Sequence, residues 1–91
     1  MRIVRRFVIS GRVQGVGFRY FTQTAAEREH IDGWVRNTTD GHVEIEAHGD
    51  PAAMTRFEQQ IRTGPSGARV DRVDASDEPS TTNASTGFRI R

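Results

Sequence analysis

Residues 7–26, FVISGRVQGVGFRYFTQTAA, pass from a strand pattern through a glycine-rich segment into a helix pattern. The strand pattern begins earlier, because residues 2–10, RIVRRFVIS, are rich in β-branched and aromatic side chains. Phe7 and Ile9 are two residues apart, so they share one face of the strand, and Val8 lies on the other. We expect Phe7 and Ile9 in the hydrophobic core.

A helix is predicted directly after the glycines. Small and apolar positions recur there with the helical period, at Phe18, Thr22, Ala25 and Ala26. The pattern stops before residues 32 and 33, an Asp-Gly pair that is typical of a helix end. The chain therefore begins as a strand, a glycine loop and a helix.

Residues 33–49, GWVRNTTDGHVEIEAHG, predict a β-hairpin. Two extended runs flank Asp40 and Gly41, which form a strong turn signal because both residue types tolerate positive φ. In the second run, apolar residues at 43, 45 and 47 alternate with Glu44, Glu46 and His48. This alternation predicts one buried face and one face in water.

A second helix is predicted over residues 51–63. Asp50 suits the N-cap position, Pro51 the first helical position and Gly64 the end. Three apolar residues form a stripe along one face, at Met54, Phe57 and Ile61.

The last part of the chain predicts two further strands, over residues 68–76 and in the terminal GFRIR, residues 87–91. Residues 77–86, DEPSTTNAST, contain only turn formers and small polar residues, which predicts a mobile surface loop. The element order is β-α-β-β-α-β plus a short C-terminal strand. It predicts an α+β, ferredoxin-like sandwich, with two helices on one face of an antiparallel sheet, as a single domain over residues 1–91.

Charge and composition favour a small-molecule function. The 13 basic residues, all arginine, balance 12 acidic ones to a net charge of +1, so no strong field attracts nucleic acid or a membrane. The chain has no cysteine, and its N-terminal apolar run is too short for a signal sequence or membrane span. We expect a monomer in the cytoplasm, without a membrane or nucleic-acid partner.

The glycine loop can be interpreted in two ways. Gly11, Gly15 and Gly17 can simply relieve strain where a strand turns sharply into a helix. Alternatively, the free N–H groups at the helix N-terminus form an anion site, and Arg19 on the first turn supplies a fork that fits phosphate. The loop lacks the Lys and Ser or Thr of a nucleotide-binding P-loop. It therefore suits one terminal phosphoryl group and requires no metal or cofactor.

The segments ISGRVQGVGFR, residues 9–19, and GWVRNTTDGHVEIEAHG, residues 33–49, resemble the two signature motifs of the acylphosphatases. Both motifs are complete, and the rest of the chain agrees in length, element order and the terminal FRIR strand. The resemblance implies that Arg19 binds phosphate and that Asn37 orients the attacking water. It also implies that the phosphate is cradled by a loop of six residues: Gln14, Gly15, Val16, Gly17, Phe18 and Arg19.

The implied reaction is hydrolysis of a small acyl phosphate to a carboxylate and inorganic phosphate, with water as nucleophile. The leaving carboxylate has a pKa of about 4 and needs no general acid, so positioning and charge stabilisation suffice. Phosphate and other oxyanions are expected to inhibit by occupying the cradle.

Three alternatives remain open at this stage. The segment GVGFRYF, residues 15–21, looks like an RNA-stacking motif of the RRM, although it precedes a helix here. A domain of this family could also act as an accessory module without turnover. Finally, one strand face could be imagined as a metal site, but a wet strand face predicts the same four residues: His42, Glu44, Glu46 and His48.

Overall fold

The computed structural model describes residues 1–79 and 86–91, which form five strands and two helices. In chain order these are β1 (Ile3–Arg12), α1 (Phe18–Arg28), β2 (Asp32–Asn37), β3 (Val43–Gly49), α2 (Pro51–Thr63), β4 (Arg69–Glu78) and β5 (Phe88–Ile90). The strands form one sheet in the order β4-β1-β3-β2-β5, and both helices pack on it. The predicted ferredoxin-like fold is confirmed.

The sheet is mixed, which corrects the expectation of a wholly antiparallel one. β1, β3, β2 and β4 pair antiparallel, whereas β5 runs parallel to β2, with Gly33 opposite Phe88 and Val35 opposite Ile90. Since β1 and β2 both run against β3, they share a direction with β5. The carboxyl ends of β1, β2 and β5 therefore lie at the same end of the sheet, where α1 begins.

The core lies between the sheet and the helices. Phe7 and Ile9 are fully buried, as predicted, and they face Ile45 and Val43 across the β1–β3 pair. The ring of Phe57, on α2, meets Phe7 edge to face with 6.1 Å between ring centroids. The predicted helix stripes are buried as well: Phe18, Thr22, Ala25 and Ala26 on α1, and Met54, Phe57 and Ile61 on α2.

The outer face of β3 is not the wet face that its alternation predicted. Glu44 and His48 are only 3% and 7% exposed. β3 lies between β1 and β2, and Glu44 forms ion pairs with Arg6 on one side and Arg36 on the other. The distance from Arg36 Nε to Glu44 Oε1 is 2.6 Å. The arginines cover the carboxylate, so a charged residue is buried where sequence alternation alone indicates solvent.

Helix α1 ends earlier than predicted. It stops at Arg28, and His30 adopts a left-handed backbone with φ of 56°, while the N–H of Ile31 donates to the carbonyl of Ala26 at 2.8 Å. This closure terminates the helix without the Asp-Gly pair. Gly33 instead belongs to β2, where φ is 136° and an added Cβ would lie 1.9 Å from the Glu46 carbonyl oxygen.

The end of β4 also differs from the prediction. The strand continues through Asp77 and Glu78, which were assigned to the loop, because they pair with Arg5 and Val4 of β1. The rest of that predicted loop, residues 80–85, lies outside the described residues. Within the described ranges, neither helix is long and apolar enough to cross a membrane.

Candidate active site

The segment between β1 and α1 uses glycines for their backbone conformation. Gly15 and Gly17 have φ of 75° and 78°, in the left-handed region that other residues rarely adopt. A Cβ at either position would meet no atom within 4 Å, so room is not the reason for glycine. The loop thus presents open backbone at the start of α1.

The first turn of α1 carries backbone N–H groups that do not bond within the helix. The first helical bond runs from the N–H of Phe21 to the carbonyl of Gly17 at 3.0 Å. The N–H groups of Phe18, Arg19 and Tyr20 precede it and have no acceptor within the helix. Gly17, the N-cap residue, has no side chain to accept them. These donors and the positive end of the helix dipole suit an anion.

Arg19 adds a full positive charge to this end of the helix. Its side chain is exposed, and its Nη1 donates a long hydrogen bond, 3.4 Å, to the backbone oxygen of Arg91. Among residues 1–79 and 86–91, no Asp or Glu side chain lies within ion-pair distance of Arg19. By contrast, Arg6 and Arg36 are committed to Glu44. The guanidinium of Arg19 is therefore available to a ligand.

Asn37 is the last residue of β2, half-buried and paired with Val43. The turn that follows is closed by two backbone bonds, from the Thr38 N–H to the His42 carbonyl at 2.9 Å and from the Gly41 N–H to the Thr38 carbonyl at 3.2 Å. Gly41 has positive φ, 92°, which confirms the hairpin turn. Regular pairing of β2 with β3 up to Asn37 fixes the backbone of Asn37 at the end of the strand.

The loop and the hairpin are joined by Gln14. Its side-chain amide Nε2 donates to the carbonyl oxygens of Thr38 and His42, at 2.8 and 2.9 Å. One side chain thus fixes the distance between the β1–α1 loop and the turn that follows Asn37. Gln14 was predicted in the cradle, whereas its bond to the hairpin was not predicted.

Arg19 and Asn37 line the same cavity, of about 240 Å³, together with part of the predicted loop. The lining residues are Val13, Gly15, Gly17, Phe18, Arg19, Tyr20, Asn37 and Ile90. Gln14 and Val16 are not among them: Gln14 bonds to the hairpin, and Val16 packs against the core. Val13, Tyr20 and Ile90 were not predicted as site residues. Ile90 is some 70 positions from the loop, so no local pattern could have indicated it.

A second cleft, of about 540 Å³, lies between α1 and α2, but the charged groups that line it already bond to other side chains of the cleft. Arg56 bonds to Glu29 at 2.8 Å, and Arg28 donates to the side-chain oxygen of Gln60 at 2.9 Å. The smaller cavity, with the free arginine and the helix N-terminus, is the better candidate for anion chemistry.

The charge nearest to the hairpin turn is Asp40, which is fully exposed. The Thr38 hydroxyl donates a hydrogen bond to its carboxylate and lowers the pKa of Asp40 below its ordinary value, with a smaller contribution from the charge of His42. The same hydroxyl oxygen accepts the N–H of His42 at 3.0 Å. This bond holds the turn that Gln14 contacts.

The four residues considered as a metal site on β3 and its turn are engaged in other contacts. Glu44 is held by two arginines, and Glu46 accepts hydrogen bonds from the Trp34 indole at 3.1 Å and contacts His48 at 3.4 Å. His42 lies 3.7 Å from Asp40. Each of these four side chains thus has a partner in the sheet or its turn, and their alternation follows from the strand pattern.

Comparison with known proteins gives one consistent result. The acylphosphatase family model matches residues 5–90. The chain is 42% identical over 87 residues to an acylphosphatase of Bifidobacterium longum, covering 96% of this chain and 90% of that one. It is 47% identical over 83 residues to an acylphosphatase of Salinibacter ruber, covering 91% and 86%.

A solved structure agrees with these sequence relatives. The crystal structure of acylphosphatase from Bacillus subtilis superposes with a TM-score of 0.93 and 36% identity, covering 98% of both chains. The shared fold and the sequence similarity both extend over nearly the whole chain. The chain therefore belongs to the acylphosphatase family, a family of hydrolases.

Proposed function

We propose that Arg19, Asn37 and the loop from Gln14 to Arg19 carry out the chain's acylphosphatase reaction, the hydrolysis of the carboxyl–phosphate bond of a small acyl phosphate. The observation that carries this assignment is the shared cavity, in which Arg19, Asn37 and the start of α1 meet. The roles below follow from the chemistry that each group can perform there.

The phosphoryl group binds at the N-terminus of α1. The N–H groups of the loop and the first turn donate to its oxygens, and the guanidinium of Arg19 grips two of them with its planar fork. Arg19 pairs with no Asp or Glu side chain among the described residues, so the contact that it has to share or release on binding substrate is its long bond to the backbone oxygen of Arg91. These donors also stabilise the charge that develops on the phosphoryl oxygens in the transition state.

Asn37 orients the attacking water. The side-chain amide accepts from and donates to hydrogen-bond partners, so it can hold a water molecule against the phosphorus without taking its proton. As the water oxygen bonds to phosphorus, the bond from phosphorus to the acyl oxygen breaks and its electron pair leaves on the carboxylate. The water's proton passes to a phosphoryl oxygen, which leaves inorganic phosphate as the second product.

The leaving group explains why so few residues suffice. A carboxylate with a pKa of about 4 departs without protonation, so the site needs no general acid. Positioning of the water and charge stabilisation by Arg19 and the amides are the two contributions that phosphoryl transfer requires. We therefore propose a reaction without a metal or cofactor, inhibited by phosphate and other oxyanions that occupy the same donors.

Gln14 acts as a positioning residue in this proposal. Its two hydrogen bonds to the hairpin, at 2.8 and 2.9 Å, connect the phosphate loop to the turn after Asn37. Because in-line attack depends on the placement of water relative to phosphorus within a fraction of an ångström, a tie between the two parts of the site supports catalysis.

RNA binding is the weaker candidate. Residues 15–21 lie on the loop and α1 instead of on a central strand, and Phe18 is only 1% exposed, so its ring cannot stack on a base. The net charge of +1 also supplies little attraction to a phosphate backbone.

We propose that the protein is a single-domain monomer in the cytoplasm. The balanced charge and the absence of cysteine from the sequence are the observations that support this proposal.

Phosphate release from benzoyl phosphate tests the assignment. We expect turnover by the unmodified chain and its loss in Arg19→Ala, since the main positive charge of the cavity is removed. Arg28→Ala is the matched control: Arg28 is exposed on the same helix but contacts Gln60, away from the cavity. Equal activity in the two variants would contradict the role of Arg19. Phosphate binding without turnover in the unmodified chain would favour the accessory-module alternative.

A further inference from the structure

Two exposed apolar side chains line the cavity that contains Arg19 and Asn37. In the part of the chain that the structure describes, the exposed large hydrophobic residues are Met1, Tyr20 and Ile90. Tyr20 is 70% exposed and Ile90 40% exposed, and both line the cavity of Arg19 and Asn37. Scattered exposed apolar residues need no explanation, but two that converge on a ligand cavity indicate a contact surface.

The two residues come from different elements that Arg19 connects. Tyr20 follows Arg19 on the first turn of α1, and Ile90 ends β5, where it pairs with Val35 of β2. The Nη1 of Arg19 donates to the backbone oxygen of Arg91, the residue after Ile90. Tyr20 and Ile90 are thus the chain neighbours of the two residues that this bond joins.

The other apolar residues that line the cavity have almost no exposed surface left for a ligand to bury. Val13 and Phe18 are each 1% exposed, so they form a floor that is already covered by protein. Only the side chains of Tyr20 and Ile90 hold apolar surface that a bound molecule could remove from water. Burial of such surface favours binding in proportion to the area covered.

We propose that Tyr20 and Ile90 form the subsite for the acyl group and select substrates whose acyl group is aromatic or a large apolar one. This inference rests on the proposed function, which places the phosphoryl group at the start of α1. The acyl group is attached to that phosphoryl group through one oxygen, so it lies within reach of the other residues that line the same cavity. A phenyl ring there contacts the Tyr20 ring and the Ile90 side chain, whereas a methyl group reaches little of either.

The test compares benzoyl phosphate with acetyl phosphate in Tyr20→Ala and Ile90→Ala. We expect kcat/KM for benzoyl phosphate to fall about three- to tenfold in each variant, and kcat/KM for acetyl phosphate to change less than about twofold. Thr24→Ala is the control, because Thr24 is exposed one turn further along α1 and does not line the cavity. Unchanged selectivity in both variants, or equal loss with both substrates, would overturn the subsite.

Binding of phosphonates separates this inference from the hydrolysis that it rests on. Calorimetry should show that the unmodified chain binds phenylphosphonate about three- to tenfold more tightly than methylphosphonate, and that Tyr20→Ala removes the difference. Equal affinity for the two compounds would overturn the subsite whatever the turnover. The predicted preference in a chain that hydrolyses neither acyl phosphate would support the subsite and refute the proposed reaction.

Discussion

The side-chain amide of Gln14 donates to the backbone oxygen of Thr38 at 2.8 Å, and so joins the β1–α1 loop to the hairpin that carries Asn37. The two residues are 24 positions apart in the chain. In the proposed mechanism neither side of the site is complete without the other, since one is to supply the phosphate donors and the other the water-binding group. This single side chain ties the two together, in addition to the pairing of β1 and β2 with β3.

Gln14→Glu should weaken both stability and turnover. Glutamate has the same shape but no N–H donor, so it would place a carboxylate against two carbonyl oxygens that then lose their partner. We expect a loss of about 1–3 kcal/mol in the free energy of unfolding, measured in urea, and a fall in kcat. Gln59→Glu, an exposed position on α2, provides the same charge change as a control. If the two variants behave alike, Gln14 does not position the site.

Asn37→Ala should lower turnover without weakening phosphate binding. Loss of one preorganised hydrogen-bonding group at a reaction centre costs about a hundred- to a thousandfold in kcat. The inhibition constant for inorganic phosphate should stay nearly constant, because the phosphate donors are on the loop and α1. A thermal melt excludes a purely structural role, and Thr39→Ala, exposed on the same turn, controls for local disturbance. Collapse of phosphate binding would identify Asn37 as a ligand or a structural residue.

The Thr38–Asp40 hydrogen bond should make the hairpin turn sensitive to acid. The folded-state pKa of Asp40 is lowered, mainly by the Thr38 hydroxyl, so its contribution to stability is complete above the unfolded pKa and is lost as the pH falls through the folded value. Thr38→Val removes the donor and should shift the pKa of Asp40 upwards. NMR titration of the Asp40 carboxyl measures this directly, and an unchanged midpoint would contradict the bond.

Hydrolysis should persist after exhaustive dialysis against EDTA. In the proposed reaction, Arg19 and the helix N-terminus supply the positive charge, and no metal ion takes part. Removal of divalent ions by a chelator should therefore leave the activity unchanged. Phosphate release before and after dialysis, with and without added magnesium or zinc, makes the comparison. Activity that disappears with EDTA and returns with a divalent ion would refute the metal-free mechanism.

The elements of the fold could be predicted from the sequence where the pattern is local. The spacing of Phe18, Thr22 and Ala26 indicated the buried face of α1, and Phe7 and Ile9 that of β1. Glu44 was wrongly expected in water, because its burial depends on arginines from two other strands that no local period reveals. The end of α1 was misplaced because His30 closes it in a left-handed conformation that is rare for residues other than glycine.

The candidate site was predictable only in part for the same reason. Motif resemblance indicated the loop, Arg19 and Asn37, which the fold brings to one cavity because β1 and β2 end at the same edge of the sheet. The contributions of Ile90 and of the Gln14 hydrogen bonds depend on tertiary pairing between distant segments. Such pairings follow from the sheet order and are absent from any short window of sequence.

Kinetics of Arg19→Lys test the central assignment most directly. Lysine keeps the positive charge and roughly the reach but lacks the planar fork that binds two phosphoryl oxygens together. Arg28→Lys on the same helix is the control, and thermal melts should show both variants folded. We predict that Arg19→Lys weakens phosphate inhibition and lowers kcat by about a thousandfold, as for other arginines that stabilise phosphoryl transfer. Near-normal kinetics in Arg19→Lys would contradict the assignment of Arg19 and of the cavity as the active site.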